Sequence, residues 1–252
     1  MKFYISIAVI MLISFNHVTA QQFVNKATVE YEVKTNIKKT MGNNSWDEMM
    51  KENMSQFKTG IYTYSFANNK SIYKFDHWDP STKIPEWTKK NDEENTWFVD
   101  HDKNSMSVKK TIVGSNFIVN DSTPTIEWQL SNESRVIAGY NCRKATGKLF
   151  DSVYVFAFYS DEITISGGPC TLNGLPGLIL GLTIPRMYTS WIATKVTIDA
   201  ADEKAIIPFT SKKPYTTKTL QGFIKENTKD WFNEDDADSK KEIQQFLWNS
   251  TL

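Results

Sequence analysis

Cys142 and Cys170 are the chain's two cysteines. In an oxidising compartment such a pair can close the loop between them, an effect worth about 3.6 kcal/mol by loop entropy. The rival reading is two separate thiols, Cys142 on a strand and Cys170 in a turn. Arg143 and Lys144 follow Cys142, and strand alternation returns only Lys144 to the cysteine's face, where a cation would lower the pKa of a free thiol. Two histidine triplets come next: His77 with Asp76 and Asp79, and His101 with Asp100 and Asp102. Brought together they could hold a hard or borderline ion, or orient a histidine as a base. Each is equally what a solvated loop looks like, and no nucleophile stands beside them in a strand-turn-helix context. The carboxylate runs at Asp161 and Glu162 and at Glu234, Asp235 and Asp236 do not amount to a glycosidase pair, because separation across a cleft is invisible in sequence. The second run also lacks the glycine and terminal glutamate of a twelve-residue calcium loop. These residues assign no catalytic group, no metal ligand and no cofactor.

Composition narrows the partners. The 252 residues carry 29 Lys plus Arg against 29 Asp plus Glu, so the chain's overall charge makes no case for nucleic acid. Hydrophobic residues make up 40% and aromatic residues 13%, with eight Trp, enough for a sizeable core. Residues 1–20 read as a secretory signal: Lys2, an apolar run from Ile5 to Phe15, then Val18, Thr19 and Ala20 before Gln21. That apolar run is far short of the roughly 20 residues that span a bilayer, and no second run approaches that length, so the mature chain is expected to have no transmembrane span. The expectation is a periplasmic or secreted protein, with 21–252 as a single β-rich domain and a polar, partly helical extension from about 200.

The elements that must position these residues are mostly strands. Ala27 to Lys34 alternates, with Val29, Tyr31 and Val33 on one face. Ser45 to Glu48 makes a capping box, and Trp46, Met49, Met50, Met54 and Phe57 recur at helical spacing up to Gly60. That stripe is either a helix-to-sheet contact or a ligand wall. Strands follow at 61–67 and 71–76 around an Asn68, Asn69, Lys70 turn, then at 95–99, 105–112 and 116–119. Val153 to Tyr159 is apolar on both faces and is expected near the sheet centre. Strand character resumes at 178–184 and 187–198 across Pro185 and Arg186. Ser239 to Glu242 caps a last helix with Ile243, Phe246 and Leu247 inward. The fold class is mostly β, of the α+β kind: a curved antiparallel sheet with one or two packed helices, including a C-terminal helix.

One motif stands out. Gly174, Leu175, Pro176, Gly177, Leu178 and Ile179 form a shaped turn leading into a core strand, since the glycines tolerate unusual backbone angles and Pro176 restricts Leu175. The same turn could border a groove in which an apolar ligand or peptide lies against Leu175 and Leu178. It is preceded by G-Y-N-C-R-K-A at 139–145, A-F-Y-S at 157–160 and Gly168, Pro169. In these blocks and their order the chain resembles the GLPGLI family, found mainly in Bacteroidetes, with the distinctive core from Ile126 to about Ile184. The resemblance implies an exported, mostly β-rich protein of a Gram-negative bacterium. The family has no established activity, so no residue role is carried over. The chain departs from the family at Thr164, where a Pro is common, and at Cys170, where a noncysteine residue is frequent. A pairing of Cys142 with Cys170 would then belong to some members only.

The functional expectation is an envelope-associated binding or interaction protein whose partner is an apolar small molecule, a peptide or an envelope protein. Two alternatives stand beside it: a structural partner of an outer-membrane complex, and a hydrolytic enzyme whose site converges only in three dimensions. The residues lean against an enzyme. An apolar cavity would favour the first reading and a long uncovered sheet edge the second, whereas a cleft with titratable groups of shifted pKa would favour the third.

Overall fold

The computed structural model describes residues 24–42, 45–150, 152–231 and 237–252. The export signal read at 1–20 and the acidic run at 234–236 therefore lie outside the described residues. The strands are β1 (Lys26–Asn36), β2 (Phe57–Ala67), β3 (Lys70–Trp78), β4 (Thr96–Asp100), β5 (Ser105–Ile112), β6 (Ser115–Ser122), β7 (Gln129–Ile137), β8 (Tyr140–Leu149), β9 (Val153–Ser160), β10 (Leu178–Ile184) and β11 (Thr189–Ile198). They form one sheet in the order β6-β5-β4-β3-β2-β1-β11-β10-β9-β8-β7. Each ladder is antiparallel. Two meanders thus meet where β1 pairs with β11. The mostly β, antiparallel fold class expected from the alternation is the one observed.

Tight turns set the register of each meander. Asn68 and Asn69 both have left-handed backbones (φ 52° and 53°), the combination that a two-residue hairpin of matching twist requires. Ala138 and Gly139 do the same between β7 and β8. β9 is not central, as its apolar sequence suggested. It is third from the β7 edge, and Tyr154 on its outer face is half exposed. The edges are handled differently. β6 is covered by the chain around Tyr215, which exchanges backbone hydrogen bonds with Ile118 and Asn120. β7 is mostly exposed, but a register shift between Leu130 and Ser134 together with Glu133 and Arg135 makes it a poor template for a further strand.

The sheet curls strongly. Lys110 of β5 and Trp191 of β11 line one cavity although five strand spacings, about 24 Å on a flat sheet, lie between their strands. Register shifts in β1, β2 and β10 supply local twist. The chain between β9 and β10 fills the resulting trough with Ile163, Ile165, Leu172 and Leu175, all buried.

The helices are α1 (Ile37–Thr40), α2 (Ser45–Asn53), α3 (Glu86–Glu93), α4 (Thr217–Thr228) and α5 (Ala237–Thr251). α2 is shorter than its pattern implied, because Phe57 and Gly60 belong to β2. Their helical spacing from Met50 is coincidental. α4 opens on a Thr216 capping box and buries Leu220, Ile224 and Thr228 at intervals of four. α5 adds Trp248, and Leu252 follows it into the same core. Among the described residues no helix is long and apolar enough to cross a membrane. Gly222 lies on the exposed face of α4, and a Cβ there would meet nothing within 4 Å. Gly222→Ala should therefore raise stability by about 0.5–1 kcal/mol in urea denaturation.

Candidate functional site

The inner face of β5 reads Met106, Val108, Lys110, Ile112, so a lysine occupies a position whose neighbours on either side are apolar. Lys110 is 6% exposed. Its Nζ donates to the Asn249 carbonyl at 3.3 Å and sits 5.0 Å from the centre of the Trp97 ring. Among the described residues no carboxylate lies within ion-pair distance of it. Burial pushes its pKa down to about 8. The Cys170 thiol and Asp92 act against that shift, and Lys58 adds to it. A buried cation without an ion pair is costly, and it occurs here at the wall of a cavity.

That cavity has a volume of 200 Å³ and lies in the trough. Its aromatic wall is a connected set: Tyr62 stacks on Tyr73 at 5.2 Å between ring centres, and Trp97 tilts against Tyr73 at 5.3 Å. The Trp97 indole donates to a main-chain oxygen of Leu252 at 2.6 Å, which ties the wall to the residue after α5. Tyr73 is 1% exposed, and its hydroxyl has no hydrogen-bond partner. The Trp191 indole interacts with it only outside hydrogen-bond geometry. Burial raises the Tyr73 pKa well above its usual range, so the group is a neutral donor lacking an acceptor. At one side of the cavity Lys58 pairs with Asp92 at 2.6 Å, joining β2 to α3.

Cys170 also lines this cavity, in a left-handed backbone conformation (φ 56°) after Gly168 and Pro169. Burial pushes its thiol up to about 12 while Lys110 acts the other way. Cys142 lies on β8, where burial pushes its thiol to about 11. Both cysteines are free, so the expected disulfide does not form. The reason is placement. Cys142 faces Ile137, Glu162 and Arg135, and Cys170 faces Lys110, Tyr62 and Tyr73. Lys144 pairs instead with Glu133 at 2.6 Å, leaving Arg135 as the cation that acts on Cys142.

The six residues of the shaped turn sit elsewhere. Leu175, Gly177, Leu178 and Ile179 are buried and Pro176 is exposed, while Gly174 borders a second, more polar cleft of 380 Å³. There Gly174 donates its backbone N–H to Ser166 Oγ at 3.1 Å, and His101 and Asp102 line the same cleft. His101 Nε2 is 3.0 Å from Ser71 Oγ. Its pKa is lowered by burial, against the pull of Asp100 and Asp102. His77 pairs with Asp76 in solvent at the far end of β3. The two histidine segments therefore do not meet. Among the described residues no group of three His, Cys, Asp or Glu side chains could hold a metal.

No protein-family model and no curated protein matches the chain. Solved structures do. The fold is similar to part of PNGF-II. In the P21 crystal form the TM-score is 0.51 at 16% identity, over 79% of this chain and 33% of that one. The C2 form gives 0.47 at 16% identity, over 89% and 33%. An uncharacterised conserved protein from Thermus thermophilus gives 0.38 at 6% identity, over 79% and 91%. The chain thus spans about a third of the length of PNGF-II, and at this identity the likeness speaks for the fold alone. It still corrects one expectation. The lean against an enzyme is withdrawn, since a fold shared with part of PNGF-II lends it no support. The trough agrees, since it holds a titratable group of shifted pKa within a cavity.

Lys110, Tyr73, Trp97 and Asp92 were not singled out in the sequence. Only Lys110 carried a signal, as a charged residue in phase with three apolar ones.

Proposed function

We propose that this chain binds a compact anionic small molecule in the trough, with Lys110 as its charge partner. The observation that carries the reading is a buried lysine without an ion pair at the wall of an aromatic cavity. An anion there supplies the missing counter-charge and an acceptor for the Tyr73 hydroxyl, and both contacts are stronger beside low-dielectric aromatic walls than in bulk water. Size fits as well: an engineered cavity of about 150 Å³ holds benzene, so this one has room for a ring with a carboxylate.

Benzoate is a direct probe, and calorimetry the measurement. Binding requires protonated Lys110. Affinity should be full at pH 6.5 and fall on the order of 30-fold by pH 9.5, as the protonated fraction drops. Absence of binding at both pH values would overturn the reading.

Hydrolysis of the bound molecule is the second reading. It is favoured by Asp92 and Lys110 lining one cavity, a carboxylate and an amine of the kinds that move protons to and from water or a leaving group. Read with the export signal at 1–20 and the GLPGLI-like motif, the protein would meet its ligand in the periplasm or outside the cell.

A further inference from the structure

The cavity at Lys110 has a neighbour. A second pocket of 250 Å³ is lined by Met41, Met50, Met54 and Ile84, from the α1 and α2 region and the chain before α3. Ile37, Thr40 and Lys58 line both spaces, so they form the wall between them. The two differ in character. The inner one has the buried ammonium and the unpartnered phenol, whereas the outer one is walled largely by methionine and isoleucine side chains, which adapt to flexible apolar groups. Neither reaches the roughly 300–1,000 Å³ of ordinary ligand sites alone, but together they do. Part of that wall is Lys58, a long, partly exposed side chain whose ion pair is to Asp92.

Resting on the reading of the inner cavity as an anion site, we infer that the ligand is an amphiphile: a carboxylate seated between Lys110 and Tyr73, with an unbranched alkyl chain running past Lys58 to Met50 and Met54. Charge sets the direction. Lys110 is the cation without an ion pair and lies at the inner end, and the apolar walls lie at the outer end. Asp47, which lines the outer pocket, would oppose a second negative charge on the tail, and in the inner cavity Asp92 is already paired with Lys58.

Calorimetry of the full chain with propionate, butyrate, hexanoate and octanoate at pH 6.5 tests this. Each added methylene that enters the outer pocket should tighten binding about fourfold. Hexanol, with the same chain and no charge, should bind far more weakly than hexanoate. Met54→Glu should remove the gain with chain length. Binding of propionate or benzoate with no gain along the series would overturn the amphiphile and leave the anion site standing. Silence from every carboxylate would overturn the anion site itself, and hexanol binding as tightly as hexanoate would overturn the assignment of Lys110 as head-group partner.

Discussion

Lys110→Met is expected to make the protein more stable and unable to bind benzoate. In the folded chain Lys110 releases its proton near pH 8, and in the unfolded chain near its usual 10.5. Between those values the unfolded chain holds more protons, so wild-type stability should rise with pH across that window and level off above it. Below pH 8 the folded state carries the whole cost of the buried charge, about 3 kcal/mol. Methionine fills a similar volume without that cost. It gives up the hydrogen bond to the Asn249 carbonyl and the contact with Trp97, so the net gain at pH 7 should be about 2 kcal/mol. Urea denaturation at pH 7 and pH 10.5 measures both quantities. A variant less stable than wild type at pH 7, with the same rise toward pH 10.5, would remove Lys110 from the role assigned to it. Stability gained as binding is lost is the pattern of a residue kept for use rather than for folding.

Gly177→Ala should have the opposite effect. A Cβ at this position would stand 2.1 Å from the Ser160 carbonyl oxygen and 2.6 Å from its carbon, with φ at 156°. The obstructing atoms are backbone at the end of β9, and they cannot swing aside as a side chain would. Relief requires pulling β10 from β9 where Leu178 pairs with Ser160, within the most buried part of the sheet. The expected loss is at least about 4 kcal/mol, enough to leave a marginal domain largely unfolded. Circular dichroism and thermal melting would show it, and Gly222→Ala provides the control for a generic glycine replacement. A Gly177→Ala protein with wild-type melting would mean that the close approach of the two strands is not maintained in solution.

Much of the fold was legible because strand alternation is a local property. β1 alternated cleanly, β5 was bounded at both ends, and the Asn68 and Asn69 turn named its own geometry. The α2 pattern overran because one aromatic residue at the right interval looks the same whether the next turn is helix or strand. The cysteine pair misled for a related reason: count and spacing say nothing about direction, and Cys142 and Cys170 face different neighbours. The trough was hidden more deeply. Its walls come from β1 to β5, from Cys170, from β11 and from the end of α5, and only the curl of the sheet brings them together. Nothing in a linear reading of β5 reveals that Lys110 shares a cavity with Trp191 and Asn249. An inward lysine among Met106, Val108 and Ile112 was the one visible sign.

The pairing of β1 with β11 joins Ala27 to Ile198 and so spans most of the chain. A sheet closed in this way has high contact order, and its seam must form late. Until β11 has been synthesised, the half built from β1 to β6 carries a bare strand edge along β1. That edge is open to any passing extended segment. The cavity does not exist in that half-made state either, because Trp191, Cys170 and Leu252 arrive only with the later residues. Closure of the seam therefore both ends the period of greatest aggregation hazard and creates the cavity, so a ligand of the proposed kind present during folding would have no partial site to engage.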